Sequence, residues 1–352
     1  MAIFGWRRKS PEYQAREQEI RALLDALPPL TRHQDDFFDL GAKQAAQAWM
    51  AGDFDAVDSI YNSLVGLDRP RFLIDFHFLI KPVPPEHLAA AQAHGSIASL
   101  LGAIQAAVWV SGEYRGYGTI DTVTEEGGEG FEDYSRIAMR LALQAAQLDP
   151  TDPHPLVLGQ GPTRIFDRKK VLEWAELWQE RDPWNYAGWY MLLGVLDWRW
   201  LGEEDDLQNI ASHLAHNAPE GSPALAVSMI ALAITSVTYR TFGELSYPKV
   251  DEIVWLSPQG QQTVATAFER LVPHIDITDP LGFLMVNWLV YGTSMACMPQ
   301  LSVKLWEMMD GKLAVGLWGI RGEDSLETAI KAREDAYRQA YIQLHPLPED
   351  NR

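Results

Sequence analysis

His213 and His216 stand three residues apart, and Glu203, Glu204, Asp205 and Asp206 precede them. Two imidazoles at that spacing share one helix face and could hold a metal. A zinc site also needs further protein ligands, in a pattern such as His-Glu-x-x-His. None follows here, so the plainer reading is a solvated helix side near a C-terminus, where histidine suits the dipole. Asp53, Asp55 and Asp58 suggest a calcium loop. That loop requires Gly at its sixth position and Glu at its twelfth. Asp58 and Leu64 stand there instead, and helix capping accounts better for the carboxylates. Gly292-Thr293-Ser294-Met295-Ala296 approximates a nucleophile elbow, which works only on a strand-to-helix turn; no strand–helix alternation surrounds it. Gly127-Gly128-Glu129-Gly130 is glycine-rich yet acidic and without lysine, the reverse of a phosphate cradle. The one cysteine, Cys297, lies in an apolar stretch and reads as a buried, inert thiol. No catalytic residue, metal-ligand set or cofactor motif emerges.

Bulk composition narrows the partners. The chain has 352 residues, 47% of them hydrophobic, and a formal net charge of −19. So negative a surface repels phosphate backbones, which excludes nucleic acid as a partner. Its acidity favours a basic partner segment. A lone cysteine permits no intrachain disulfide and fits a reducing, cytoplasmic setting. The basic cluster Arg7-Arg8-Lys9 is followed by no apolar run of the kind a secretory signal carries. Residues 221–239 and 281–303 are uncharged. Prolines, glycines and hydroxyls interrupt them, so buried helices are expected there rather than membrane spans.

The elements that must position these residues show a rhythm. Helical apolar patterns stop at Leu67-Asp68-Arg69, Leu148-Asp149-Pro150, Arg181-Asp182-Pro183 and Asn217-Ala218-Pro219. The last three prolines are 33 and 36 residues apart, a period that marks stacked helix–turn–helix units. Residues 1–36 read as a tail and leading helix, 37–222 as helical repeats, and 223–352 as further helical pairs with a capping helix. That last helix should show Lys331, Arg333, Glu334, Asp335 and Arg338 on a polar outer face. Between Tyr114 and Asp133, glycines alternate with acids, and residues 114–133 are expected to form an acidic loop.

Within 39–68, Ala42, Ala45, Ala46 and Trp49 supply one helix, Gly52-Asp53-Phe54-Asp55 a turn, and Val57, Ile60, Tyr61 and Leu64 the next. Gly-Asp-Phe-Asp with Tyr61, Leu64 and Leu67-Asp68 resembles the second half of a tetratricopeptide repeat. Ala138, Ala142 and Ala145 match its small packing positions, and Trp189 with Leu192 its Trp-x-x-Leu opening; Leu193 stands where the family has Gly. The order of elements, with segments 147–153 and 218–223, is also similar to a group of bacterial helical-repeat proteins of unknown function, which implies no activity. The tetratricopeptide resemblance implies an all-α, right-handed superhelical stack of antiparallel helix pairs.

Six tryptophans fall between Trp174 and Trp200, and most of so large a set belongs in a core. The resemblance implies a concave side at His154 and Arg164 on one pair and at Tyr190, Asp197 and Trp198 on the next. These five are the expected groove. The expected function is a non-enzymatic scaffold gripping a protein or peptide segment there, with Tyr190 and Trp198 as anchors and Asp197 and Arg164 setting register. The alternative is an intracellular enzyme or small-molecule-binding regulator with a pocket between helices, using His154, His213 or Asp197. Oligomeric state has no signature in the chain.

Overall fold

The computed structural model describes residues 11–32, 41–116, 122–243, 245–314 and 325–346. Its architecture is all-α, with one two-residue strand pair among the described residues. After α1 (Pro11–Asp25) and β1 (Thr31–Arg32) come α2 (Ala42–Ala51) and α3 (Phe54–Ser63). These two form the hairpin expected from the sequence. Gly52 ends α2 at φ 81°, a conformation glycine adopts without a Cβ penalty, and Asp53 caps α3 by accepting the Ala56 N–H at 3.2 Å. Ala42, Ala45, Ala46, Trp49, Val57 and Tyr61 are all buried.

The chain continues through α4 (Asp68–Leu79), α5 (Pro85–His94), α6 (Ile97–Arg115) and α7 (Glu125–Leu148). Leu67-Asp68 therefore opens a helix rather than closing one. The other three stops fall between helices. They follow α7, then α9 (Arg168–Gln179), then α11 (Asp206–Asn217), which is preceded by α10 (Tyr186–Val195). The helix expected after Pro150 is cut short: α8 (His154–Gly159) gives way at Pro162 to a 3-10 turn, Gly161–Ile165. Next come α12 (Ala224–Thr241), α13 (Tyr247–Val254), α14 (Pro258–Leu271), α15 (Pro280–Met295), α16 (Pro299–Met309), β2 (Lys312–Leu313) and α17 (Ser325–Leu344). By length and composition α12 could cross a membrane, but two thirds of it is buried among α10, α11, α13, α14 and α15.

The acidic loop expected at 114–133 is a helix from Glu125 onward. Thr124 caps it, its hydroxyl accepting the Gly127 N–H at 3.0 Å. Glu125 and Glu126 in the first turn suit the positive end of the dipole. Tyr114, at the end of α6, stacks on Tyr134, and a Cβ at Gly130 would overlap its ring. The glycines thus permit close helix contact instead of breaking the helix.

Consecutive helices pack on one another, yet distant ones meet as well. Helix α10 lies against α4, and Arg71 of α4 reaches Asp279, the cap of α15, at 3.6 Å. The two ends of the described chain also join. β1 pairs with β2 in parallel, α1 packs on α17, and Arg338 binds Glu17 at 2.8 Å. Arg333, expected on the outer face, is buried and donates from Nη1 to the Pro28 carbonyl at 2.7 Å. Its bond to the segment that follows α1 turns it inward.

Candidate functional site

Structure divides the five expected groove residues. His154 and Asp197 are buried, so neither offers a rim to a partner. Helix α10 ends at Val195, which puts Asp197 and Trp198 in the following turn rather than on its concave face. Trp198 points outward and is 39% exposed. Tyr190 and Arg164 keep partial exposure. Arg164 lies beside α10, its Nη2 donating to the Gly194 carbonyl at 3.0 Å, and Asp197 sits close enough to influence its charge. Arg164 and Asp197 thus belong to one neighbourhood; His154 bonds Asp152 and Tyr61 elsewhere.

His154 forms a buried network with Tyr61 of α3 and Asp152. The Tyr61 hydroxyl donates to Asp152 Oδ2 at 2.7 Å, and His154 donates its backbone N–H and Nδ1–H to Oδ1 at 2.8 and 2.6 Å. Burial alone would raise the Asp152 pKa, but the hydrogen bonds and charge of His154 prevail and hold it down at about 2. Burial, then the Asp152 charge, pushes the Tyr61 phenol far up. Arg181 ties the segment to the next unit through the Asp152 carbonyl at 2.9 Å. An Asp–His–Tyr set resembles acid–base machinery, but all three side chains are sealed from solvent, and it serves as a clamp between hairpins.

Around Arg164, charge and aromatic surface meet. Its guanidinium lies over the Trp200 indole at 4.8 Å, and Arg115 approaches the same ring at 5.3 Å. Asp197 Oδ1 accepts the Arg199 N–H at 3.0 Å. Its Oδ2 accepts Arg199 Nε and Thr238 Oγ1, both at 2.9 Å. Burial, then repulsion from Arg199, lowers the Arg164 pKa to about 10 despite Asp197. His77 of α4 is lowered too, first by burial and further by Arg164, while its Nδ1 meets Gln105 Oε1 of α6.

The remaining sequence candidates land plainly. His213 stacks on Trp184, and His216 Nδ1 meets the Ser212 carbonyl at 2.8 Å. Ser294 lies in the last turn of α15, far from any elbow geometry. Cys297 is exposed rather than buried, because the chain leaves α15 there with φ 53° and turns the thiol outward. Partial burial and the Asp251 and Asp335 charges push that thiol up, away from nucleophilic activation. Asp55, Asp58 and His94 place three ligand atoms within 4.8 Å of one another, the sole such group among the described residues. Too few donors and an exposed position make it a weak metal holder.

Two open grooves that the sequence reading missed flank residues 79–84. One, of about 450 Å³, is lined by Lys43, Ala46, Gln47, Met50, Ala51 and Leu79. The other, of about 460 Å³, is lined by Pro82, Val83, Pro84, Val110, Glu113 and Tyr114. Met50 in the first and Tyr114 in the second are 38% and 43% exposed, and Phe78, which precedes Leu79 in the chain, is 50% exposed. The signal was present as Phe76-His77-Phe78-Leu79-Ile80, too apolar for one buried helix stripe, followed by a proline-rich turn. No family model, curated protein or solved structure matches the chain.

Proposed function

We propose that this protein is a non-enzymatic, cytoplasmic interaction scaffold. Its tetratricopeptide-like hairpins stack in a right-handed superhelical sense, and it takes an apolar protein segment across the face formed by α2, α4 and α6. The observation that carries this reading is a set of exposed large apolar side chains at two open grooves: Met50 lines one and Tyr114 the other, and the half-exposed Phe78 directly precedes Leu79 of the first. Large apolar side chains that gather next to concave surface mark protein contacts better than scattered ones do. Openness favours a segment with several side chains over a small molecule, which would demand an enclosed pocket. Lys43 and Glu113 provide one charge of each sign at the two grooves. The acidic remainder of the surface favours basic flanks on the partner and faster association at low salt.

Affinity purification tests the proposal. Wild-type protein and the Trp198→Ala variant should recover the same stoichiometric partner. Phe78→Glu, with unchanged helical circular dichroism, should lose it. Recovery of that partner at wild-type yield by Phe78→Glu would sink the assignment of this face.

A further inference from the structure

We propose that the partly exposed Arg164, which lines neither apolar groove, binds a small oxyanion, a carboxylate or a phosphate monoester. A guanidinium offers five N–H donors, and among the described residues Arg164 uses one, to the Gly194 carbonyl. Its Nε is shut off from water with no partner. No carboxylate forms an ion pair with it among the described residues. Asp197, whose charge reaches it, has both oxygens occupied by Arg199 and Thr238. The neighbouring Arg199 adds repulsion instead of relief. A cation held this way is disfavoured unless something anionic arrives.

Placement of the group is specific. Trp200 fixes the plane of the guanidinium and the Gly194 carbonyl fixes its rotation. Gly194 also leaves room, since a Cβ there would lie 3.0 Å from Nη2. Such a fork matches the two oxygens of a carboxylate or phosphate. A second orphaned donor lies one residue removed, through His77, whose ring feels the Arg164 charge. Gln105, 1% exposed, accepts from His77 through Oε1 and leaves its amide Nε2 without a partner. The orphaned atom at Arg164 is a donor on a cation, so the complementary ligand is an anion that accepts. His77 is kept neutral by burial and by Arg164, and reports on the charge beside it.

The test is titration of the full-length protein with inorganic phosphate, succinate and chloride at matched ionic strength, followed by calorimetry and by NMR of the His77 ring. Phosphate or succinate, but not chloride, should bind saturably and raise the His77 pKa by neutralising Arg164. The stronger of the two identifies the class of anion. Arg164→Met should weaken that binding by about tenfold or more, the loss expected for a charge-assisted hydrogen-bonded pair. Gly194→Ala, which crowds Nη2, should weaken it as well. Equal binding of all three anions, or wild-type affinity in Arg164→Met, overturns the site. Should Arg164→Met fail to fold, the wild-type His77 titration decides: an anion-specific shift upholds the proposal and its absence refutes it.

Discussion

Asp152 shows how a single buried carboxylate can set the acid stability of a helical clamp. Its folded-state pKa, about 2, lies below the ordinary 3.8, so the unfolded chain takes up its proton first. The stabilisation is complete above pH 4 and fades as pH falls through 2, amounting to about 2 kcal/mol. Urea unfolding of wild type and Asp152→Asn should therefore show a stability gap at pH 5 that shrinks by about that amount at pH 2. An unchanged gap would place the charge-dependent stability elsewhere. Tyr61 was legible as a core residue from its helical spacing, but Asp152 lies 91 positions away in the chain and the pair could not be read. His154 and Arg164 were likewise recognisable as polar residues on a repeat. Which way they point depends on where α8 ends, and Pro162 ends it early.

Among elements, α7 is the most instructive. Gly127, Gly128 and Gly130 between acids favour a loop on propensity alone, since each glycine in a helix interior is unfavourable by about 1 kcal/mol. Packing against Tyr114 reverses that preference, because side chains at 127 and 130 would collide with it. Gly128 faces open space. Gly128→Ala should then stabilise the fold by about 0.5–1 kcal/mol. Gly130→Ala should destabilise it by about 1–3 kcal/mol through overpacking. Thermal melts of the two variants check this; if both shift in the same direction, the helix assignment at 125–131 does not control stability. The α2–α3 hairpin was the opposite case. Its Gly52 turn, Asp53 cap and alanine-rich face are local devices, and each appears where the residues placed it.

At the scale of the molecule, the ends of the described chain are clasped together. Thr31 donates to the Gly311 carbonyl at 2.8 Å, Arg333 reaches the Pro28 carbonyl at 2.7 Å, and Ile20 is buried at the α1 helix. Such a seam couples elements that a stack of nearest neighbours would leave independent. Arg333→Ala should cost about 1–3 kcal/mol, the value of a buried charged hydrogen bond. Hydrogen exchange should quicken in α1 and α17 together. Faster exchange in α17 alone would mean that the two helices do not act as one unit.

Helical periodicity, capping residues and proline stops determined the all-α class, several helix boundaries and the first hairpin, because those features arise from interactions within a few residues. Tertiary structure decided the rest. It turned a glycine-rich segment into a helix, buried Asp197, His154 and Arg333, exposed Phe78 and Cys297, and brought Arg164 to Gly194. Each of these outcomes depends on contacts between residues far apart in sequence, where burial and shape outweigh local preference.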